Sequence, residues 1–195
     1  MKRMEQRIMS SKKEYFLKEI SLVRTDNIRQ FLEYCIVNLP DYFFHVAASS
    51  SGKYHPEYAL GDGGLLRHTK AAVWIANELF NLDMFKFTQE EKDLMLVALF
   101  LHDGQKQGKR EGNTVFDHPI HAANFVKQCH IETDLLNDDQ MQLIYDCIAA
   151  HMGQWNTAKY SKVVLPTPKT KYQKFVHLCD YLASRKFLEM NFEKV

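Results

Sequence analysis

At 195 residues, with 46% hydrophobic and 25% charged residues, the chain has the composition of an ordinary globular protein, long enough to bury roughly 70% of the surface it exposes when unfolded. The formal net charge of +1 excludes a general basic footprint for nucleic acid and leaves room only for a local patch. Cys35, Cys129, Cys147 and Cys179 show no CxxC pairing and lie in apolar helical patterns, which excludes a zinc finger and suits reduced, buried thiols in a cytoplasm.

The N-terminus MKRMEQRIMSSKKEYFLKEI is charged without a continuous apolar stretch, and no later run reaches the length of a membrane span. A cytoplasmic protein without a membrane partner is therefore expected. From about Lys12 to Leu39, apolar positions Phe16, Ile20, Val23, Phe31, Tyr34 and Ile36 alternate with charges, predicting one long or two shorter surface helices that end before Pro40. Residues 1–40 then form an N-terminal helical segment packing on a domain over 41–195. The connection DYFFHVAASSSGKYHPEYALGDGG, Asp41 to Gly64, is long for a compact domain, as functional loops often are. Its Ser49, Ser50, Ser51, Gly52 and Lys53 either supply hydroxyl, N–H and ammonium donors to a phosphate or form a solvated Ser-rich loop.

After the punctuation of Gly61, Gly63 and Gly64, LLRHTKAAVWIANELF predicts a helix over Leu65 to Phe80. Its buried stripe is Leu65, His68, Ala72, Ile75, Leu79, with a histidine where the pattern asks for an apolar residue. The next segment, LMLVALFLHDG at Leu94 to Gly104, is apolar around nearly its whole circumference and ends in His102-Asp103. A carboxylate buried there costs several kcal/mol unless it is paired, hydrogen-bonded or bound to a cation. The alternative is a helix end that emerges into solvent before Gly104.

Beyond the polar loop GQKQGKREGNTVF, Pro119 suits a first helical position, and the stripe reads His118, Ala122, Phe125, Cys129. A helix from about Asp138 to Met152 carries Met141, Ile144, Ile148 and His151 and stops at Gly153. A last one, about Lys171 to Met190, carries Val176, Asp180, Ala183 and Phe187. Five predicted helices thus place His or Asp on a buried face. Imidazole nitrogens and carboxylate oxygens are ligands favoured by Zn, Mn, Fe, Co and Ni.

His68, His102-Asp103, His118, His151 and Asp180 follow the order H…HD…H…H…D, which resembles the HD-domain superfamily of metal-dependent phosphohydrolases over roughly Gly63 to Phe187. GGLLRHT at Gly63–Thr69 is similar to the GGLLEHT segment of HD-type 3′-to-5′ exoribonucleases. LHDGQK at Leu101–Lys106 resembles an HDxxK form, and DHPIHAA at Asp117–Ala123 resembles the HPxxGA stretch of two-metal members. The resemblance implies an all-α helical bundle with a metal site at its centre. It makes His68, His102, Asp103 and Asp180 one metal site, with Asp103 bridging to a second ion held by His118 and His151. His121 is the rival to His118 but falls off the stripe, and the interval from Asp103 to His118 is short for the second site.

Such ions lower the pKa of bound water from about 15.7 toward about 7 and neutralise phosphoryl oxygens. Asp103 would place the attacking water, and Lys106 would meet a non-bridging phosphate oxygen or stay solvated beside Lys109 and Arg110. Asp62 and Asp117 are the sequence-adjacent candidates for orienting the histidines. In QWNTAKYSKVVLPTPKT, Trp155, Tyr160, Lys159 and Lys162 follow His151 closely, and aromatics with lysines suit a nucleotide or a short single-stranded end. Trp155 as core beneath the loop is the other option. The expected function is hydrolysis of a phosphoester of a nucleotide or nucleic-acid 3′ end, with Asp103 and Lys106 catalytic and Lys106, Ser50, Lys53, Trp155 and Lys162 contacting substrate. Two ions of Mn, Fe, Ni, Co or Zn are expected. The alternatives are a phosphodiesterase for a cyclic or dinucleotide signal, a nucleoside-phosphate phosphatase, a nucleotide-binding regulatory module without turnover, and a structural protein with core histidines.

Overall fold

The computed structural model describes residues 12–49, 52–108 and 111–188. Regular structure among them is helical: α1 (Leu17–Ile20), α2 (Asp26–Asn38), α3 (Gly64–Leu79), α4 (Gln89–Leu101), α5 (His118–Thr133), α6 (Asp138–Ala149) and α7 (Lys171–Ala183), with 3₁₀ turns at Asp41–Phe44 and Glu57–Ala59. The all-α bundle is the fold expected of the sequence. Ser50 and Ser51 lie outside the described residues, as do Lys109 and Arg110.

Helix α4 is the axis of the bundle. Every residue from Asp93 to Leu101 is buried, and the helix packs against α2, α3, α6 and α7. It begins five residues before the apolar run, at a capping box in which Thr88 Oγ1 accepts from the Glu91 N–H (3.2 Å) and a Glu91 carboxylate oxygen accepts from the Thr88 N–H (2.7 Å). Asn137 with Gln140 and Thr170 with Gln173 cap α6 and α7 in the same way. Each such cap is worth about 1 kcal/mol. The α4 axis therefore runs from a solvated, capped start into the middle of the protein.

Two buried carboxylates fasten the N-terminal residues to this frame. Asp93, with no accessible surface, accepts from the Thr25 N–H (2.8 Å), the Thr25 hydroxyl (2.6 Å), the Gln89 amide (2.8 Å) and the Arg24 N–H (3.2 Å). Glu19, also buried, accepts from the Trp74 indole N–H (3.0 Å) and faces the Lys70 ammonium at 3.4 Å, which ties α1 to α3. Phe16 completes the seam edge-on to Phe100 of α4, ring centroids 5.2 Å apart.

Two helices stop earlier than expected. Residues after Ala149 tighten, with the His151 N–H donating to Ile148 O at 3.3 Å, and reverse at Gly153 with φ +60°. Helix α7 ends at Ala183 instead of continuing toward Met190, because the Lys186 N–H is taken by Tyr54 O (3.0 Å) of a distant loop. All four cysteines are buried free thiols. No helix among the described residues is long and apolar enough to cross a membrane.

Asp93→Ala leaves two N–H groups and a hydroxyl without their acceptor in the interior. A loss of about 3 kcal/mol is expected, measured by urea denaturation, with Asp93→Asn losing less.

Candidate metal centre

The C-terminal end of α4 carries His102, with no accessible surface, and Asp103 at 2%. Neither reaches solvent, so the reading of an emerging helix end does not hold. Gly104 continues the turn where a side chain would not fit, since a Cβ there would lie 2.8 Å from a Leu39 methyl and 3.0 Å from Leu101 O. His68 from α3, His118 from the start of α5, His151 from the turn after α6 and Asp180 from α7 converge on the same point.

Three of the histidines are oriented alike. His102 Nδ1 donates to Leu99 O (2.7 Å), His118 Nδ1 to Val115 O (2.8 Å) and His151 Nδ1 to Ile148 O (2.7 Å). A carbonyl only accepts, so Nδ1 holds the proton and the neutral ring presents a bare Nε2 lone pair. These lone pairs face other acceptors. His68 Nε2 and His102 Nε2 are 3.3 Å apart, with Asp180 Oδ1 at 3.0 Å from the first and 3.4 Å from the second. His118 Nε2 and His151 Nε2 are also 3.3 Å apart, with Asp103 Oδ1 at 3.0 and 3.7 Å. The other Asp103 oxygen, Oδ2, lies 3.6 Å from His102 Nε2 and 4.0 Å from His68 Nε2.

Asp103 Oδ1 is buried and receives no hydrogen bond. Ligand atoms about 2.1 Å from a shared ion sit roughly 3.0–3.4 Å from one another, which matches the closest donor pairs here. Overlapping triads, namely His68 with His102 and Asp103, His102 with His151 and Asp180, and Asp103 with His118 and His151, each have all their ligand atoms within 4.8 Å. Donor type, spacing and the orphaned oxygen all fit a divalent metal, and several of these groups could hold one.

Charge follows the same pattern. Burial alone would raise the Asp103 carboxyl, but the Lys106 ammonium and His102 outweigh it and hold it well below the usual carboxylate range. Asp180 is likewise held low, its burial outweighed by His102 and His68. Burial opposes protonation of His102, yet Asp103 and Asp180 raise its pKa. His151 goes the other way, as burial and then the neighbouring His102 push it down to about 3.

A cavity of about 730 Å³ opens on this cluster. Lys106 lines it and pairs directly with Asp103 Oδ2. Trp155 lines it too, 45% exposed, so it is no core residue. Lys53 and Lys162 are exposed and outside the lining; the Lys53 ammonium lies over the Tyr54 ring. Two sequence-adjacent assignments need correction. Asp62 faces His45 at the surface (3.7 Å) and Asp117 faces His121 (3.4 Å), so neither orients a histidine of the cluster. Backbone carbonyls do that instead. His121 is 47% exposed and away from the cluster, which contains His118.

Two histidines of the site carry no periodic signal in the sequence. His55, from the loop before α3, lines the cavity edge-on to the His68 ring (centroids 5.5 Å), and burial pushes its pKa down to about 4. His177, one turn before Asp180, donates from Nδ1 to His151 O (2.6 Å). The GGLLRHT stretch explains how the His55 loop is held. Gly64 lets α3 start against the Glu57–Ala59 turn, where a Cβ would meet Ala59 O at 2.4 Å, and Arg67 donates to Leu60 O (3.0 Å) and Asp62 O (2.9 Å).

A helical bundle whose central helix delivers a His-Asp doublet into a ring of further His and Asp residues defines a class of metal-site proteins. The HD-domain model matches residues 65–185, well over half of the chain, and the chain belongs to that family. No curated protein and no solved structure matches it. HD-domain proteins are in general metal-dependent phosphohydrolases.

Gly153 touches the His177 ring so closely that an added Cβ would lie 2.2 Å from it, and its φ is +60°. Gly153→Ala is expected to cost about 2 kcal/mol or more and to weaken metal retention, read by thermal denaturation and by metal content after dialysis. His151 also sets a pH dependence. The folded chain keeps it neutral down to about pH 3, whereas the unfolded chain protonates it near about 6.5. Its contribution to metal-free stability is therefore present above pH 6.5 and is lost as pH falls toward 3. The stability difference between the parent and His151→Asn is expected to shrink between pH 7.5 and pH 5 in urea denaturation with chelator.

Proposed function

We propose that the chain is a metal-dependent phosphohydrolase that cleaves a phosphoester of a nucleotide or of a nucleic-acid 3′ end. The observation that carries this reading is the Asp103 carboxylate, whose two oxygens face two different histidine pairs in a cavity that also holds an ammonium. His68, His102, Asp180 and Asp103 Oδ2 would hold one divalent transition ion, and His118, His151 and Asp103 Oδ1 a second, drawn from Mn, Fe, Ni, Co or Zn. When bound, such ions supply Lewis acidity toward phosphoryl oxygens and lower the pKa of water.

The remaining work falls to the chain itself. The carbonyls of Leu99, Val115 and Ile148 hold three imidazoles in the ligating tautomer, and the apolar walls of α4 keep bulk water from the buried side of the cluster, which strengthens every charge interaction there. Asp103 would contribute one oxygen to each histidine pair. Lys106, able to turn from Asp103 toward the open cavity, neutralises a non-bridging oxygen of the substrate as a point charge. Trp155 offers a face to a base, while Lys53 and Lys162, exposed outside the cavity lining, would meet more distal parts of a longer substrate. The buried free thiols suit a reducing compartment such as the cytoplasm.

Metal analysis with a hydrolysis panel tests this reading. About two transition ions per chain are expected in the parent, falling toward one in His118→Ala and His151→Ala. One ion, unaffected by those changes, would reduce the site to His68, His102, Asp103 and Asp180. Joint replacement of His102 and Asp103 by Ala is expected to lower turnover about a thousand-fold or more with the helical fold kept, since several kcal/mol of charge stabilisation are removed. Unchanged turnover in that variant rules the site out. Preference for a cyclic or dinucleotide diester would narrow the reading to signal hydrolysis, and nucleotide binding with no turnover under any metal would replace it with a binding module.

A further inference from the structure

The same cavity has a second, more open end with a chemistry of its own. Arg185, just past α7, lines it with Tyr54, Trp155 and Tyr181. The guanidinium carbon lies 4.5 Å from the Tyr181 ring centroid, 5.6 Å from that of Tyr54 and 6.0 Å from that of Trp155. Trp155 and Tyr181 stack with centroids 5.7 Å apart and an interplanar angle of 11°. Arg185 Nε and Nη2 both donate to Ser184 Oγ (3.2 and 2.9 Å), and that hydroxyl donates to Tyr181 O (2.7 Å). The cation is held in place by hydrogen bonds as well as by the rings.

Three chain segments distant in sequence build this wall, and they are fastened together. Tyr54 comes from the loop before α3, Trp155 from the turn after α6, and Tyr181 and Arg185 from the end of α7. The Lys186 N–H donates to Tyr54 O (3.0 Å), and the Tyr58 hydroxyl donates to Ala183 O (2.9 Å). The first of these bonds accompanies the early end of α7. The wall is therefore ready-made rather than assembled around a ligand, which spares a ligand the cost of ordering it.

A surface of near-parallel rings with a guanidinium among them suits one kind of ligand group: flat, with π faces to stack and ring nitrogens or carbonyls at its edge to accept hydrogen bonds. A nucleobase has this form, and an aliphatic or sugar phosphate does not. A cavity of about 730 Å³ lies well inside the range of small-ligand sites, which runs from about 300 to 1,000 Å³. Asp103 and Lys106 stand at its buried end, and Tyr54 and Trp155, 53% and 45% exposed, at its open end.

We propose that Arg185, Tyr181, Trp155 and Tyr54 form a base-recognition subsite, which holds the nucleobase of the substrate while its phosphate lies at the Asp103–Lys106 end. This rests on the phosphohydrolase reading for the role of the buried end, but the subsite itself is testable without turnover. Adenosine carries a base and no phosphate, and ribose 5-phosphate the reverse. Calorimetric titration of the full-length, metal-loaded protein with each probe, together with tryptophan fluorescence, separates the two ends of the cavity. Adenosine is expected to bind and quench the fluorescence, with affinity about ten-fold weaker in Arg185→Gln and in Trp155→Phe. Ribose 5-phosphate is expected to bind all three proteins alike. Failure of adenosine to bind, or equal adenosine affinity in parent and both variants, overturns the subsite. Phosphoester turnover by a parent that ignores adenosine would leave the enzyme reading standing and sink this one. Adenosine binding without turnover of any phosphoester would do the reverse.

Discussion

The Asp103 carboxylate sits at the end of an apolar helix, almost wholly buried at the inner end of the cavity, with each oxygen turned toward a different pair of imidazole nitrogens. Its charge is tolerable there only because positive charge stands close by. Lys106 and the partly protonatable His102 supply part of it, and both hold the carboxyl low. The Nε2 atoms 3.3 Å apart in each histidine pair ask for more. Much of the architecture follows from meeting that demand: residues of five segments meet at one point, and carbonyls of the local turns take up the Nδ1 protons of His102, His118 and His151 so that their Nε2 lone pairs face inward.

Holding the point rigid falls to parts of the chain remote from it. Asp93 is nearly three helical turns upstream of Asp103, where its carboxylate gathers the donors of Arg24, Thr25 and Gln89. Glu19 does the same for Trp74 and Lys70 on α3. Both carboxylates are buried, but only Asp93 has hydrogen bonds to both of its oxygens; Glu19 Oε2 faces the Lys70 ammonium alone, and Asp103 Oδ1 receives no hydrogen bond. The contrast between Asp93 and Asp103 separates a structural carboxylate from one presented to a cation. Gly153 lets the backbone pass the His177 ring, and Gly64 lets it pass the Ala59 carbonyl, more closely than any side chain would permit.

The cavity joins two chemistries within one space. Its buried end is polar, charged and metal-compatible; its open end is aromatic, with a guanidinium bridging rings from three segments. The bond from Lys186 to Tyr54 links the end of α7, which carries Asp180 to the cluster, with the loop that carries His55 alongside it. A ligand spanning the cavity would therefore touch both the site and the segments that position it.

Helical content, the central buried helix and the six residues that converge on the cluster were legible in the sequence, because a histidine or aspartate at an apolar position of a 3.6-residue period is a local mark that needs no contact information. His118 could be favoured over His121 for the same reason. What the linear pattern did not carry were features made by approach between segments. Asp62 and Asp117 are near the ligands in sequence but point to His45 and His121. His55 and His177 lie outside or between the marked positions, and Arg185 falls where the last helix was expected to continue. Periodicity reports which side of a helix is buried, so the chain alone determined the frame and the residues turned inward. Distances across helices and loops, where that helix would yield to a bond from another segment, and which side chains share a cavity depend on packing among elements far apart in sequence, and only the tertiary structure decided them.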